Sequence, residues 1–482
     1  MKYNKIIIIS YFEVNSKIKG GSKIVKKIVK KFSNFINKME PTQIMVMGFA
    51  LVILIGAILL NMPISTKTGE SIGFLDALFT STSAVCVTGL VAVDTSTYWS
   101  FFGQLIIITL IQIGGLGFMT VTTLFALIIK KRINLRERLL IQESLNQIDL
   151  SGLVKLTRYI LLTTFLIEGT GALILSTVFI PQFGLYKGIW YSVFHGISAF
   201  CNAGFDLMGV VSGPFSSLTS YVNNFTITIT ISLLIILGGI GYPVILDVIK
   251  NKKLSKLNLH SKIVIFSTVT LILFGMVFIF VLEFNNPQTL GNLSFGGKIL
   301  ASFFQSVTLR TAGFNTIDLG LMKECSIFLM IILMFIGASP ASTGGGIKTT
   351  TIATLVLTVK SFIFQKQDIE IYERRISELT VKKSLGVFFI ALTVVVTGTL
   401  IISITDPDFS ILEVGFEVVS AVATVGLSIG GSPNLSILGK IFIIMFMFIG
   451  RVGSLTIFMA LTSRGVKKNA PIRYPEGKII VG

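Results

Sequence analysis

Charge is scarce in this sequence. Only 13% of its 482 residues are Asp, Glu, Lys or Arg, while 52% are hydrophobic and the mean hydropathy is +0.83. A soluble chain could not hide so much apolar surface, so an integral membrane protein is expected. Cysteine is nearly missing as well. Cys86, Cys201 and Cys325 stand far apart, which excludes a disulfide framework and a thiolate metal site. The two histidines, His195 and His260, are too few and too distant to hold a metal on their own. Acids are the rarer sign, 23 against 41 Lys and Arg, for a net charge of +18. In a membrane chain that excess is read first as loop topology, and no nucleic-acid partner is expected. No carboxylate pair, Ser/His set or metal cluster has a spacing that catalysis needs, so an enzyme is not expected. The start, MKYNKIIIIS, lacks a small-residue cleavage site, so no signal peptide is expected.

What is present is long apolar runs. Eight can be placed, near 42–62, 101–129, 158–180, 225–249, 262–284, 325–358, 383–404 and 437–461. About 20 apolar residues suffice to cross a bilayer. The loops between them alternate in charge. The tail 1–40 holds ten lysines, and KKRINLRER (130–138), KNKKLSKLNLHSK (250–262), the loop 360–383 and the C-terminal end are also basic. By the positive-inside bias both termini face the cytoplasm of a multi-pass protein. Within the tail, Val25, Val29, Phe32 and Ile36 share one helical face opposite lysines. That pattern suits a basic amphipathic helix on an anionic membrane surface, or a solvated tail.

The runs hide a repeat. ALFTSTSAVCVTGLVAV (77–93), VFHGISAFCNAGFDLMG (193–209), FFQSVTLRTAGFNTIDL (303–319) and GFEVVSAVATVGLSIGG (415–431) each end on a small residue, a glycine and an apolar residue. The glycines, Gly89, Gly204, Gly313 and Gly426, are 115, 109 and 113 residues apart. Each follows one span and precedes another, so each unit is a span, a re-entrant segment and a second span. Two spans per unit give all four units one orientation, around an axis along the membrane normal. The expected fold is therefore an all-α membrane protein of four parallel pseudo-repeats around a central ion pore. The units are 41–155, 156–258, 259–378 and 379–482, after the tail 1–40. Irregular backbone at membrane depth must be buried or line a watery cavity. Rings of backbone carbonyls there can replace an ion's hydration shell, as in a potassium filter. The filter residues expected are Val87, Thr88 and Gly89; Asn202, Ala203 and Gly204; Thr311, Ala312 and Gly313; and Thr424, Val425 and Gly426.

On VTGL, NAGF, RTAGFN and TVGLS, on GASPASTGGGIKTTT, on IGRVG and on the end IRYPEGKIIVG, the chain resembles the potassium transporter superfamily of bacterial Trk and Ktr and plant HKT proteins. The likeness runs over roughly residues 40–482 and is nearest to the Ktr membrane subunit (KtrB type). It implies potassium uptake across the plasma membrane, a homodimer with one pore per protomer, and a separate cytosolic RCK ring (KtrA type) that binds the nucleotide. Sodium coupling or activation goes with that expectation. A carrier-type cation symporter with alternating access is the alternative.

Two further stretches draw attention. GASPASTGGGIKTTT (337–351) interrupts the sixth run with Pro340 and Gly344-Gly345-Gly346. It is not a phosphate loop, because Ile347 separates the glycines from Lys348 and no strand precedes it. The resemblance makes 338–351 a gating loop, with Ala341, Ser342, Thr343, Gly344, Gly345, Gly346 and Lys348 as gate residues; a kinked, packed helix is the alternative. Arg451 lies inside the last run, and the resemblance puts it near the gate. Pairing with an acid such as Glu168 is its alternative. Arg310, three residues before Gly313, would repel the ion that the carbonyls attract. It is therefore expected behind the filter as a support, paired first with Glu417, then with Glu413 or Asp318.

Overall fold

A computed structural model describes residues 41–117, 120 and 153–453. The amphipathic pattern of the tail, the basic loop 130–138 and the C-terminal end lie outside the described residues. The helices are α1 (Pro41–Leu60), α2 (Phe74–Cys86), α3 (Phe101–Leu116), α4 (Leu153–Phe183), α5 (Leu185–Phe200), α6 (Phe225–Gly239), α7 (Tyr242–Asn251) and α8 (Leu259–Glu283). They continue as α9 (Phe295–Thr308), α10 (Glu324–Phe335), α11 (Thr349–Ile363), α12 (Glu378–Thr405), α13 (Ile411–Val422) and α14 (Ile437–Val452). A small hairpin, β1 (Glu370–Ile371) with β2 (Arg374–Arg375), joins α11 to α12.

Helix length sorts these elements by role. Among the described residues α1, α4, α8 and α12 are each long and apolar enough to cross a membrane. They turn large apolar side chains outward: Leu173 is 70% exposed, Phe266 64% and Ile404 79%. The helices α2, α5, α9 and α13 have 13, 16, 14 and 12 residues. At 1.5 Å per residue they span about 18–24 Å, too short for the roughly 30 Å hydrocarbon layer. They are the re-entrant segments. Local chemistry fixes where they start. Ser294 accepts from the Gly297 N–H, and Ser410 forms a capping box with Glu413.

The repeats form a ring. The short helix of each unit packs against the second span of the unit before it: α3 on α5, α6 on α9, α10 on α13, and α14 back on α2. Lys440 of α14 and Asp76 of α2 close the circle with an ion pair at 2.8 Å. This is the four-unit arrangement that the glycine spacing predicts.

The second spans depart from straight runs. The run 225–249 is broken, because α6 and α7 meet at 98° across Ile240–Gly241. Gly241 has φ +91°, and Tyr242-Pro243 starts a new helix there. The run 325–358 is also two helices, α10 and α11, with an irregular loop between. In the first unit α3 ends at Leu116, with Gly117 at φ +78°; the rest of that run, like that of 437–461, lies mostly outside the described residues.

Candidate functional site

The four short helices all end at the same place. Just past their C-termini, Val87, Asn202, Thr311 and Thr424 take left-handed φ of 55°, 58°, 64° and 52°. Two residues on, Gly89, Gly204, Gly313 and Gly426 have φ of 99°, 72°, 80° and 86°. The residues between them, Thr88, Ala203, Ala312 and Val425, do not share that sign. Alternating handedness turns successive carbonyls to the same side, where an ordinary strand would alternate them. Val87, Thr311 and Thr424 are β-branched, for which this conformation is rare and costs about 1–3 kcal/mol each. Such strain persists only where the surroundings impose it.

The glycines touch one another in a closed order. A methyl added to Gly89 would lie 2.6 Å from the Ala203 carbonyl oxygen. On Gly204 it would lie 2.8 Å from that of Ala312, and on Gly313 3.0 Å from that of Val425. On Gly426 it would collide with the Thr88 carbonyl oxygen. Each glycine thus makes room for the carbonyl of the next unit, and four carbonyl oxygens form one ring. The C-terminal ends of four helices point at it, and each carries a partial negative charge of about half an electron. The arrangement suits a cation stripped of water.

Hydroxyls brace the ring, and sequence reasoning missed them. Ser83 Oγ accepts from the Gly89 N–H at 3.0 Å, and Ser420 Oγ from the Gly426 N–H at 3.1 Å. Ser198 and Thr308 donate to the carbonyls of Phe205 and Phe314, both at 2.6 Å. Three of them stand six residues before their glycine, a signal that the aligned repeats contain. Thr308 stands five before, which hides it.

On one side of the ring, here called outer, is a cavity of about 450 Å³. All four glycines line it, as do the residues two positions beyond them, Val91, Asp206, Asn315 and Ser428. Asp94 and Asp318 are also in its wall, and no Lys, Arg or His is, among the described residues. Asp94 is fully engaged: it accepts from Ser96, from the Thr97 amide and hydroxyl, and from the Phe215 N–H. Asp206 accepts from the Met208 N–H at 2.8 Å. It lies outside the helices that cross the membrane. Loss of hydration, with the Asp94 charge adding to it and the Met208 and Ser217 hydrogen bonds opposing, pushes its carboxyl up to about 7.

On the other side, here called inner, the loop between α10 and α11 lies against the ring. Thr343 Oγ1 donates to Asn202 Oδ1 at 2.9 Å, and the Gly345 N–H donates to Thr424 Oγ1 at 3.1 Å. Gly344 stands so close to Thr311 that a methyl there would collide with its hydroxyl. The loop therefore touches the left-handed residue of three units. It is held from behind by the break between α6 and α7. The Ser339 N–H donates to Gly239, the Thr343 N–H to Gly238, and the Tyr242 N–H to Ala341, at 3.0, 3.2 and 3.0 Å. Lys348 Nζ donates to the Gly344 carbonyl at 2.8 Å. Arg451 donates to the carbonyls of Thr343 and Gly114. Ala341, Ser342 and Gly346 face a second cavity of about 1050 Å³.

Neither the expected Arg310–Glu417 pair nor the alternative Arg451–Glu168 pair forms. Glu168 receives the Gln112 amide at 3.1 and 3.2 Å rather than Arg451. Glu417 is taken by the Ser428 and Ser432 hydroxyls, both at 2.5 Å, and by the Ile429 N–H at 3.3 Å. Glu413 serves the capping box and Asp318 accepts from the Gly320 N–H. Arg310 is 7% exposed, lines neither cavity, and its Nε and Nη1 have no hydrogen-bond partner. Small hydroxyls and amides, nearer in sequence, satisfy the acids first.

Known proteins resemble this chain. The family described as TrkH, cation transport protein, matches residues 14–464. The chain belongs to the TrkH family. Within it, the potassium/sodium uptake protein NtpJ of Enterococcus hirae is 41% identical over 462 residues, covering 95% of this chain and 100% of that one. The Ktr system potassium uptake protein B of Bacillus subtilis is 43% identical over 445 residues, covering 92% and 97%. Its counterpart in Vibrio alginolyticus is 38% identical, covering 92% and 95%. The crystal structure of the potassium transporter TrkH from Vibrio parahaemolyticus aligns with a TM-score of 0.69 over 87% of this chain and 84% of that one. At 18% identity that likeness concerns the fold alone, and the TrkH fold is what this chain has.

Proposed function

We propose that this chain is the pore-forming subunit of a potassium uptake system in the cell membrane. The observation that carries the proposal is the closed ring of Gly89, Gly204, Gly313 and Gly426, each abutting the next unit's carbonyl oxygen. A cage of carbonyls at the ends of four helices replaces the hydration of a monovalent cation without adding a fixed charge that would trap it. Each filter segment is the triplet ending in its glycine. Potassium is the transported ion, and sodium is a second cation, in keeping with the likeness to NtpJ, a potassium/sodium uptake protein, or an activator.

Residues 338–351 are the gate. Thr343 to Gly345 stand beneath the ring, and Lys348 and Arg451 pin them there by carbonyl contacts. A separate nucleotide-binding RCK ring acts on this gate from the cytoplasm, and the subunit works as a homodimer with both termini on that side. These partners follow the likeness to Ktr membrane subunits.

Rubidium-86 flux into liposomes holding the purified protein tests the proposal, with sodium and lithium as competitors. Saturable rubidium uptake that potassium competes away far better than lithium is expected. No flux under a membrane potential, with or without the cytosolic partner, would refute it.

A further inference from the structure

The inner cavity has a charge imbalance that conduction leaves unexplained. Its wall presents Lys348, Arg375, Lys383, Arg451 and His260, and no carboxylate among the described residues. Lys348 and Arg451 bond only to carbonyls. Carbonyls satisfy donors but carry no net charge, and a cation held away from water without a counter-charge is costly. The ion pairs among the described residues are Arg375–Asp368, Lys382–Glu378 and Lys440–Asp76. Only the first reaches this cavity. It sits at the rim with side chains 69% and 39% exposed, where such a pair contributes little.

We propose that this cavity binds a phosphate-type anion, either a soluble polyphosphate or the headgroup of an acidic lipid. Arg375 and Lys383 hold it at the rim and Lys348 meets it from the gate side. The guanidinium fork of Arg375 matches phosphate oxygens two at a time, and Lys383 adds a mobile point charge. Hydroxyls stand among the cations: Thr351, Ser377 and Thr380 line the same wall, and the buried Ser342 Oγ there has no partner. The starts of α11 and α12 lie at the wall too; there the Thr349 N–H already bonds the Ala338 carbonyl and the Thr380 N–H the Ser377 hydroxyl, so the cationic side chains carry the site. A volume of about 1050 Å³ accommodates a ligand with more than one phosphate. Binding has a mechanical consequence, which alone rests on the gate assignment above. The anion competes with the Gly344 and Gly345 carbonyls for the Lys348 ammonium, so it loosens the loop beneath the ring.

Pyrophosphate titrated onto the full-length protein in phosphatidylcholine nanodiscs, at constant ionic strength, tests the site by calorimetry. Saturable binding is expected, weakened roughly tenfold or more in the double variant Arg375→Gln/Lys383→Gln. Lys187→Gln, at the start of α5 and outside the cavity wall, should leave it unchanged. The single variant Lys383→Gln carries the same comparison if the double variant does not fold. Repeating the titration with phosphatidylglycerol in the discs separates the sources. Weaker apparent pyrophosphate binding there assigns the site to lipid headgroups; unchanged binding assigns it to the soluble anion. The proposal is overturned if pyrophosphate does not bind saturably and phosphatidylglycerol gives no Lys383-dependent thermal stabilisation. Wild-type affinity in the double variant overturns it equally. Pyrophosphate on the cytoplasmic side should raise rubidium flux. Binding without any flux would count against the transport assignment and leave the anion site standing.

Discussion

On the outer side of the glycine ring Asp94, Asp206 and Asp318 face a cavity of about 450 Å³ whose described wall has no Lys, Arg or His. On the inner side Lys348, Arg375, Lys383 and Arg451 face one of about 1050 Å³ whose described wall has no Asp or Glu. The ring between them is neutral backbone. Walls of one sign focus a field and change the local ion concentration by tenfold or more. On the proposed function, the outer wall would gather cations, the ring would choose among them, and the inner wall would resist their passage until something changes there. Selection and control would then be separated in space, within one short path.

The sharpest way to break this comparison is at the ring itself. Gly89→Ser places a side chain where only 2.6 Å separates it from the Ala203 oxygen, at a φ of 99°. The left-handed conformation alone costs about 1–2 kcal/mol, and the carbonyl must tilt away. Potassium-over-sodium preference in rubidium flux should fall by roughly tenfold. Unchanged preference in serine variants at all four glycines would remove the ring from the selection step.

Control should yield to a change on the inner side alone. Deleting Ala341–Gly346 should raise flux several-fold and reduce its dependence on a cytosolic partner, with ion preference retained. A folded deletion variant with wild-type or lower flux would refute the plug.

The outer wall predicts a smaller and salt-sensitive effect. Asp206→Asn should lower uptake a few-fold at low potassium and low ionic strength, and the loss should shrink as salt screens the wall. Because the Asp206 carboxyl titrates at about 7, its charge is present above that pH and lost below it. Uptake by the wild-type protein should fall between pH 8 and pH 6, and the variant should show a flatter profile. Identical profiles would exclude Asp206 from cation gathering.

The mildest change is to a brace. Ser83→Ala leaves the buried Gly89 N–H without its acceptor, a loss of about 1–3 kcal/mol. Thermal unfolding should shift down by a few degrees, with only slight loss of ion preference. Ser420→Ala should behave alike, since Ser420 holds the Gly426 N–H in the same way. Two different outcomes would mean that the four units do not share the load evenly.

Much of this was legible in the chain. The spacing of four glycines predicts the units, their common orientation and the place where they meet. The break in 337–351 stands out because small and polar residues cannot face lipid. What escaped was direction and partnership. Hydropathy runs on unbroken through Leu237, Ile240, Tyr242 and Val244, so the bend between α6 and α7 leaves no trace in it. Reasoning by opposite charge gave Arg310 to Glu417, but the hydroxyls of Ser428 and Ser432 lie eleven and fifteen residues away on the same loop and reach that acid first. Asp206 carries no signal in the sequence beyond its place two residues after Gly204.

The ring closes between the first unit and the last. Gly426 abuts the Thr88 carbonyl, and Lys440 clasps Asp76 across 364 residues of sequence. Those contacts set an order of manufacture. A ribosome that has delivered three units to the membrane has made three sides of a cage, and its first and third sides each lack one of their two neighbours. No oxygen ring exists until the final hundred or so residues arrive. On the proposed function, ion selection therefore arises only once the fourth unit is in place.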